Sequence, residues 1–161
     1  MNILSHITAD DGEEFLLVKC GEESVHALAV LERICFPSDF WSEISFYEAL
    51  RTPAASIYAA YNKELTKIVA YGVIYSAADE GDLANIAVIP EMRKRGLGRS
   101  LLDSMCRITA ESGVLRLFLE VRQSNEPAIS LYTSAGFEPV GKRKNYYVRP
   151  VEDAVIMQKL L

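Results

Sequence analysis

No stretch of this chain approaches the roughly 18 consecutive apolar residues that a membrane-spanning helix requires. The amino terminus also lacks a basic region followed by an apolar run, because His6, Asp10, Asp11, Glu13 and Glu14 arrive early. Those absences predict a soluble protein with neither a membrane anchor nor a secretory leader. Cysteine is scarce: Cys20, Cys35 and Cys106 cannot all pair within the chain, have no metal-ligand spacing and sit among apolar neighbours. A disulfide framework and a metal centre are therefore not expected, and a reducing, cytoplasmic compartment is. Positive charge is in deficit, with 17 Lys+Arg against 22 Asp+Glu and a net charge of −5, which opposes attraction to nucleic acid or to an anionic membrane. Repeats, low-complexity tracts and Ser/Gly linkers are missing as well, so disorder, collagen and a simple coiled coil are excluded.

What remains is a chain of 161 residues, 50% hydrophobic and 24% charged, enough for one domain with its own core. We read residues 1–161 as a single domain, with 1–14 a loosely held extension. Phe15–Lys19 reads as a short strand, and Ser24 is the expected cap of an amphipathic helix spaced by Val25, Leu28, Ala29, Leu31 and Ile34, which Pro37 ends. Ser42 caps a second helix carrying Ile44, Phe46, Tyr47 and Leu50. Ser56–Tyr61 and Ile68–Ser76 are β-branched and aromatic and form a hairpin, and the turn Asp79-Glu80-Gly81-Asp82 leads into a strand over Leu83–Ile89. A helix over Gly98–Ser112, a strand over Leu115–Val121 and a short helix bracketed by Asn125, Pro127 and Gly136 follow. Strands at Glu138–Tyr146 and Ala154–Leu160 close the chain around Arg149-Pro150. One crossover among hairpins predicts an α/β (α+β) fold with a mixed, mainly antiparallel central sheet and helices on both faces.

The most informative stretch is Arg93-Lys94-Arg95-Gly96-Leu97-Gly98-Arg99, between a strand and an amphipathic helix. It holds four of the 17 positive charges of an otherwise acidic chain, and its two glycines let backbone approach a ligand. The first amides of a helix have no intrahelical partner and carry the positive end of its dipole, so an anion such as a pyrophosphate is the natural ligand. A solvated basic turn is the plainer alternative. The stretch is not a P-loop, which needs Gly-Lys-Ser/Thr, nor a dinucleotide fingerprint, which needs a third glycine where Leu101 stands.

Arg-x-x-Gly-x-Gly after Asn85-Ile86-Ala87-Val88-Ile89-Pro90 resembles the acetyl-CoA loop of the GNAT N-acetyltransferases. Leu119-Glu120-Val121-Arg122-x-Ser124-Asn125, Ala128-Ile129-x-Leu131-Tyr132, Gly136-Phe137 and Arg143-x-Asn145-Tyr146-Tyr147, with Asp153-Ala154 and Met157, narrow the likeness to the ribosomal-protein-alanine N-acetyltransferase group. It spans about Phe15 to Leu160 and is strongest from Asn85 onward. The resemblance implies the GNAT fold, acetyl-CoA as cosubstrate without a metal, and a protein N-terminal peptide as acceptor, in this group that of a small-subunit ribosomal protein.

By the same resemblance, backbone groups of Ile86, Ala87 and Val88 bind the pantetheine arm. The amides from Lys94 through Arg95, Gly96, Leu97 and Gly98 to Arg99, beginning after Arg93, hold the pyrophosphate. Asn125 stands near the cofactor, although its position also suits an N-cap. Leu115, Leu117, Leu119 and Val121 alternate onto one face of their strand, leaving Glu120 on the other with Arg116 and Phe118. Composition alone favours a partner for Arg116 or a rim position for Glu120, whereas the resemblance makes Glu120 the general base. It makes Tyr132 the general acid, a residue that spacing alone would assign to core packing, and implies an oxyanion contact from the N–H of Ala87 or Val88. Tyr146 and Tyr147 resemble substrate-side tyrosines, with exposed strand-edge aromatics as the alternative. Trp41 with Phe36, Pro37 and Phe40 forms the opposite wall, where Ser38-Asp39-Phe40 interrupts the family's Phe-Pro-Trp-Ser pattern.

The acceptor matters energetically. At pH 7 an α-amine with a pKa near 7.8 is neutral in about one molecule in seven, and a lysine near 10.4 in about one in 2,500, a difference of about 3.5 kcal/mol. Three other readings stay open from sequence: a GNAT enzyme acting on a lysine or small-molecule amine, a non-catalytic acyl-CoA-binding module, and a thiol hydrolase pairing a cysteine with His6 or His26.

Overall fold

A computed structural model describes residues 2–161. Eight strands form one sheet in the order β1-β2-β3-β4-β5-β6-β8-β7. The strands are β1 (Asn2–Thr8), β2 (Glu14–Lys19), β3 (Ala55–Tyr61), β4 (Ile68–Ala77), β5 (Glu80–Val88), β6 (Arg116–Arg122), β7 (Glu138–Val148) and β8 (Val151–Leu160). Four helices accompany them: α1 (Val25–Cys35), α2 (Glu43–Arg51), α3 (Leu97–Glu111) and α4 (Glu126–Ser134). Among the described residues only β5 and β6 pair in parallel, joined by the α3 crossover, and every other neighbouring pair is antiparallel.

The two faces of the sheet can be read from adjacent residues of β4, since consecutive side chains in a strand point opposite ways. Tyr71 packs edge-on against Phe46 of α2 and hydrogen-bonds Glu32 of α1, whereas Gly72 lies under Met105 of α3. Helices α1 and α2 therefore cover one face and α3 the other, with α4 beside α3 through the contact of Arg99 with Ser134. Leu17, Leu28, Ile57, Ile74, Leu97, Leu101 and Leu102 are fully buried between these layers. Burial pushes the Cys20 thiol up to about 12, and Cys106 is also buried with its thiol raised for the same reason. No helix among the described residues is long and apolar enough to cross a membrane.

Three expectations are corrected. The amino-terminal residues are not a loose extension: Asn2–Thr8 pairs antiparallel with β2, and Ile7 and Ala9 are buried, because β1 packs on α3 at the sheet edge. The turn before β5 is tighter than Asp79–Asp82, since Glu80, Gly81 and Asp82 already lie in the strand, and Ala78 takes the positive φ instead. Ser24 does not cap α1 through its side chain. A 3-10 turn over Glu22–Ser24 leaves it already helical, and its hydroxyl faces that of Tyr61 at 3.1 Å. Ser42 does cap α2, accepting from the Ser45 N–H at 3.2 Å.

Candidate active site

The site is opened by a break in pairing. Strands β5 and β6 are in register only at Glu80↔Arg116, Gly81↔Leu117 and Asp82↔Phe118, and then diverge while β5 continues along β4 to Val88. In an antiparallel pair the hydrogen-bonding groups of successive residues alternate sides. The Ile89 N–H bonds Val69 O on β4, so the backbone of Ala87 is also turned to β4, and that of Ile86 and Val88 is turned into the gap. Of the three residues expected to contact the pantetheine arm, Ile86 and Val88 thus turn their backbone groups into the gap, and Ala87 turns its own to β4. Part of that edge already has partners: Val88 O accepts from Arg93 Nε at 2.9 Å and from Cys35 Sγ at 3.4 Å.

Below the gap lies the glycine loop. Lys94 and Gly96 both adopt left-handed backbone, φ 59° and 72°, a geometry that turns successive amides toward a common anion position. The left-handed backbone at Gly96 favours glycine, and the Asp10 carboxylate occupies the space a Cβ would take. At Gly98 an added Cβ would lie 3.3 Å from Val88 Cγ2, so glycine lets the first turn of α3 sit close under β5. The loop's charges are largely taken up within the protein. Arg93 folds onto Val88 O, Arg95 is paired with Asp11 and Glu13, and Arg99 is paired with Asp103 and Ser134. Lys94 alone of the four has neither a hydrogen bond nor an ion pair from its side chain among the described residues. Backbone amides at the start of α3, beginning with Leu97, are what the loop offers an anion.

Glu120 lies above the loop on the open side of β6, where buried and half-exposed residues alternate as expected. Its partner is not Arg116, which binds Asp79 and Glu80 instead, but Arg143 of β7, whose Nε stands 2.7 Å from Glu120 Oε1. The Tyr146 phenol faces Glu120, and that carboxylate, with burial, holds the phenol above the ordinary range. Asp82 of β5 faces the same carboxylate. It is reachable by solvent yet walled in, and this burial, with the charge of Glu120, raises its carboxyl against the opposing pull of Arg143.

Both tyrosines of β7 reach the cleft because the strand is irregular. Consecutive residues of a regular strand face opposite ways, but the register shifts between Arg143 and Tyr147, and Asn145 takes φ 53° with its N–H on Asp153 Oδ1. The two rings stand at 90° with centroids 5.1 Å apart. Arg122 lies 4.0 Å over the Tyr147 ring, and Asp39 from the loop between α1 and α2 acts on Tyr147 from the opposite wall. Tyr132 of α4 is 8% exposed and edge-on to Phe137, with its hydroxyl lacking a hydrogen-bond partner among the described residues. Burial, then Tyr147, raises its phenol beyond the usual range. Asn125 caps α4, accepting from the Ala128 N–H at 3.2 Å, the plainer of its two expected roles.

The opposite wall rests on a buried carboxylate that sequence reading passed over. Glu32 of α1 is 1% exposed and accepts from the Trp41 N–H at 3.0 Å, from Asn85 Nδ2 at 3.1 Å and from the Tyr71 hydroxyl. All three contacts donate, the pattern an acceptor-only carboxylate satisfies. It ties the half-buried Trp41, which packs on Phe46 at 5.5 Å, to the strand that carries Ile86. An apolar helix interrupted by one acid, Val25 to Cys35, was the available signal. No group of His, Cys, Asp and Glu among the described residues is arranged to hold a metal ion.

Residues 23–137 match the model of the acetyltransferase (GNAT) family. A Bacillus subtilis protein, named provisionally as a ribosomal protein bS18-alanine N-acetyltransferase, is 37% identical over 84% of this chain and 88% of its own length. The crystal structure of the Escherichia coli ribosomal-protein-S18-alanine N-acetyltransferase superposes with a TM-score of 0.81 at 32% identity, covering 89% of this chain and 92% of that one. An Elizabethkingia anophelis GNAT acetyltransferase, solved with acetyl-CoA bound, shares the fold with a TM-score of 0.75 at 18% identity, covering 91% of this chain and 98% of its own. Family model, relative and fold agree with the splayed strands and the loop beneath them, and the chain belongs to the GNAT acetyltransferase family.

Proposed function

We propose that this enzyme transfers the acetyl group of acetyl-CoA to the α-amine of a protein N-terminal alanine, that of a small-subunit ribosomal protein. One observation carries the reading: the edge of β5 left open beyond Asp82, between loop amides on one side and Glu120 on the other. The residues fit the coenzyme. Ile86 and Val88 offer backbone groups along the gap, the amides from Lys94 to Arg99 suit a diphosphate, and Gly98 keeps the helix start close enough for one ligand to touch both. Asn125, at the start of α4, borders the same space. When bound, acetyl-CoA supplies an acetyl group already activated as a thioester.

The chain's own groups do the rest. Tyr146, Tyr147 and Trp41 line the acceptor entrance from opposite walls. Glu120, oriented by Arg143 and Tyr146, takes the proton of the incoming amine, directly or through one water. Only a small push is needed for an α-amine, which is neutral in about one molecule in seven at pH 7. Tyr132 keeps its proton because its raised phenol is far from titrating, and it gives that proton to the departing thiolate. Kinship favours the ribosomal acceptor, since the E. coli neighbour named for bS18 alanine covers nearly all of this chain. We place the protein in the cytoplasm, where that acceptor is made, with no direct role for nucleic acid or membrane.

Intact-mass measurement after incubation with acetyl-CoA tests this. A peptide beginning with alanine should gain one acetyl group at its amino terminus, well ahead of a blocked peptide carrying an internal lysine. A preference for the lysine peptide would overturn the acceptor, and no transfer to either, with CoA bound, would point to a non-catalytic module.

A further inference from the structure

The amino-terminal hairpin, β1 and β2, lies before the segment that the family model matches, yet its turn is built onto the glycine loop. Five hydrogen bonds join them. The Asp10 N–H donates to Arg95 O at 2.8 Å, and Ser100 Oγ donates to Thr8 O at 2.7 Å. Arg95 Nε donates to Asp11 Oδ2 at 2.8 Å, and Arg95 Nη2 binds both Asp11 and Glu13, the latter at 2.5 Å. The remaining guanidinium nitrogen, Nη1, lies 2.9 Å from Met92 Sδ, so the whole fork is engaged. The side chain of Arg95 is 29% exposed, the lowest of the three residues in this ion-pair cluster.

We infer that the β1–β2 turn is a clasp for the coenzyme loop, in which Asp11 and Glu13 hold Arg95 and thereby fix the backbone amides of residues 94–99 in their ligand-binding form. Arg95 is then a positioning residue. Its guanidinium does not bind phosphate, although its amide stays with the others.

Two physical arguments carry this. Lys94 sits in left-handed backbone without being glycine, a conformation that persists only where its surroundings hold it, and Arg95 is the next residue. Second, carboxylates beside an anion site repel the anion, so on charge alone Asp11 and Glu13 oppose coenzyme binding. A guanidinium meant for the diphosphate would be left unpaired, whereas this one is saturated by two acids and a thioether.

The inference rests on the coenzyme reading of the loop, and its test separates the two. Calorimetry with CoA, and steady-state kinetics with an alanine-starting peptide, would compare the unmodified protein with Arg95→Ala, with Asp11→Asn/Glu13→Gln, and with the triple variant. A clasp predicts that the two partial variants weaken CoA by a similar factor, about three- to tenfold, and that the triple variant is no weaker than either, because all three changes break one device. In Asp11→Asn/Glu13→Gln the KM for acetyl-CoA should rise by the same factor with kcat kept, and amide exchange at residues 94–99 should quicken without ligand. Tighter or unchanged CoA binding in that variant would make Arg95 a phosphate ligand and overturn the clasp, as would additive losses. If the unmodified protein gave no heat with CoA, the coenzyme reading would fail instead, and the clasp with it.

Discussion

At the scale of single residues, the assignment of acid and base is a statement about where two protons sit. The Tyr132 phenol is raised, first by burial and then by Tyr147. A phenol whose folded pKa exceeds its unfolded value of about 10 favours the neutral form in the fold. That contribution is complete below about pH 10 and is lost only as pH climbs through the folded value. As the proposed donor, Tyr132 therefore stays protonated through neutral and mildly alkaline pH. The kcat/KM for an alanine-starting peptide should rise with the acceptor amine, near about pH 8, and then hold level to about pH 9.5. A falling limb below about pH 9 would remove Tyr132 from the acid's role. Replacing Tyr132 with Phe should lower the plateau by about 100-fold, and Glu120→Gln should cost a similar factor, both with CoA affinity within about twofold of the unmodified protein. Loss of CoA binding in either variant would mean that the side chain supports the coenzyme and not the chemistry.

Elements show why some of this was legible in the chain and some was not. Local signals were strong wherever a side chain answers to its own neighbours: Ser42 caps α2, Asn125 caps α4, and the alternation through β6 sets Glu120 on the open face. They failed where a distant element intervened. Ser24 has the right type for a cap but hydrogen-bonds Tyr61 across the fold, and Arg116 shares a strand face with Glu120 but is taken by Asp79 and Glu80. Arg143 reaches Glu120 only because β8 carries β7 to that edge and a bulge re-aims it, which no local pattern encodes. Glu32 belongs to the same class. Its carboxylate joins α1 to Trp41, Tyr71 and Asn85, so Glu32→Ala would leave three buried or half-buried donors without an acceptor and cost about 2–4 kcal/mol. Ser42→Ala, which loses one exposed-end cap, should cost about 1 kcal/mol. Urea unfolding of the two variants measures both, and a smaller loss at Glu32 than at Ser42 would mean that the buried network adds little beyond a simple cap.

On the scale of the whole molecule, the distribution of charge sets how an acceptor is approached. The chain carries a net −5, while Lys142, Arg143 and Lys144 lie together on exposed β7 beside the cleft. At distances beyond a Debye length, about 10 Å at 0.1 M salt, an incoming particle meets the net charge, and closer in it meets the local one. A ribosomal subunit is a polyanion through its RNA, so if the proposed acceptor is met on an assembled subunit, the net charge of this chain opposes the encounter. Raising salt should relieve that repulsion. Between about 0.05 and 0.3 M KCl, kcat/KM for an assembled small subunit should rise, and that for a short uncharged peptide beginning with alanine should change little. Rates measured in parallel on the two acceptors decide the point. A steep fall on the subunit, linear in the logarithm of salt, would be the signature of counterion release from RNA. It would mean that the β7 lysines dock on phosphate, and that the acidic balance of the chain does not govern its encounter with the acceptor.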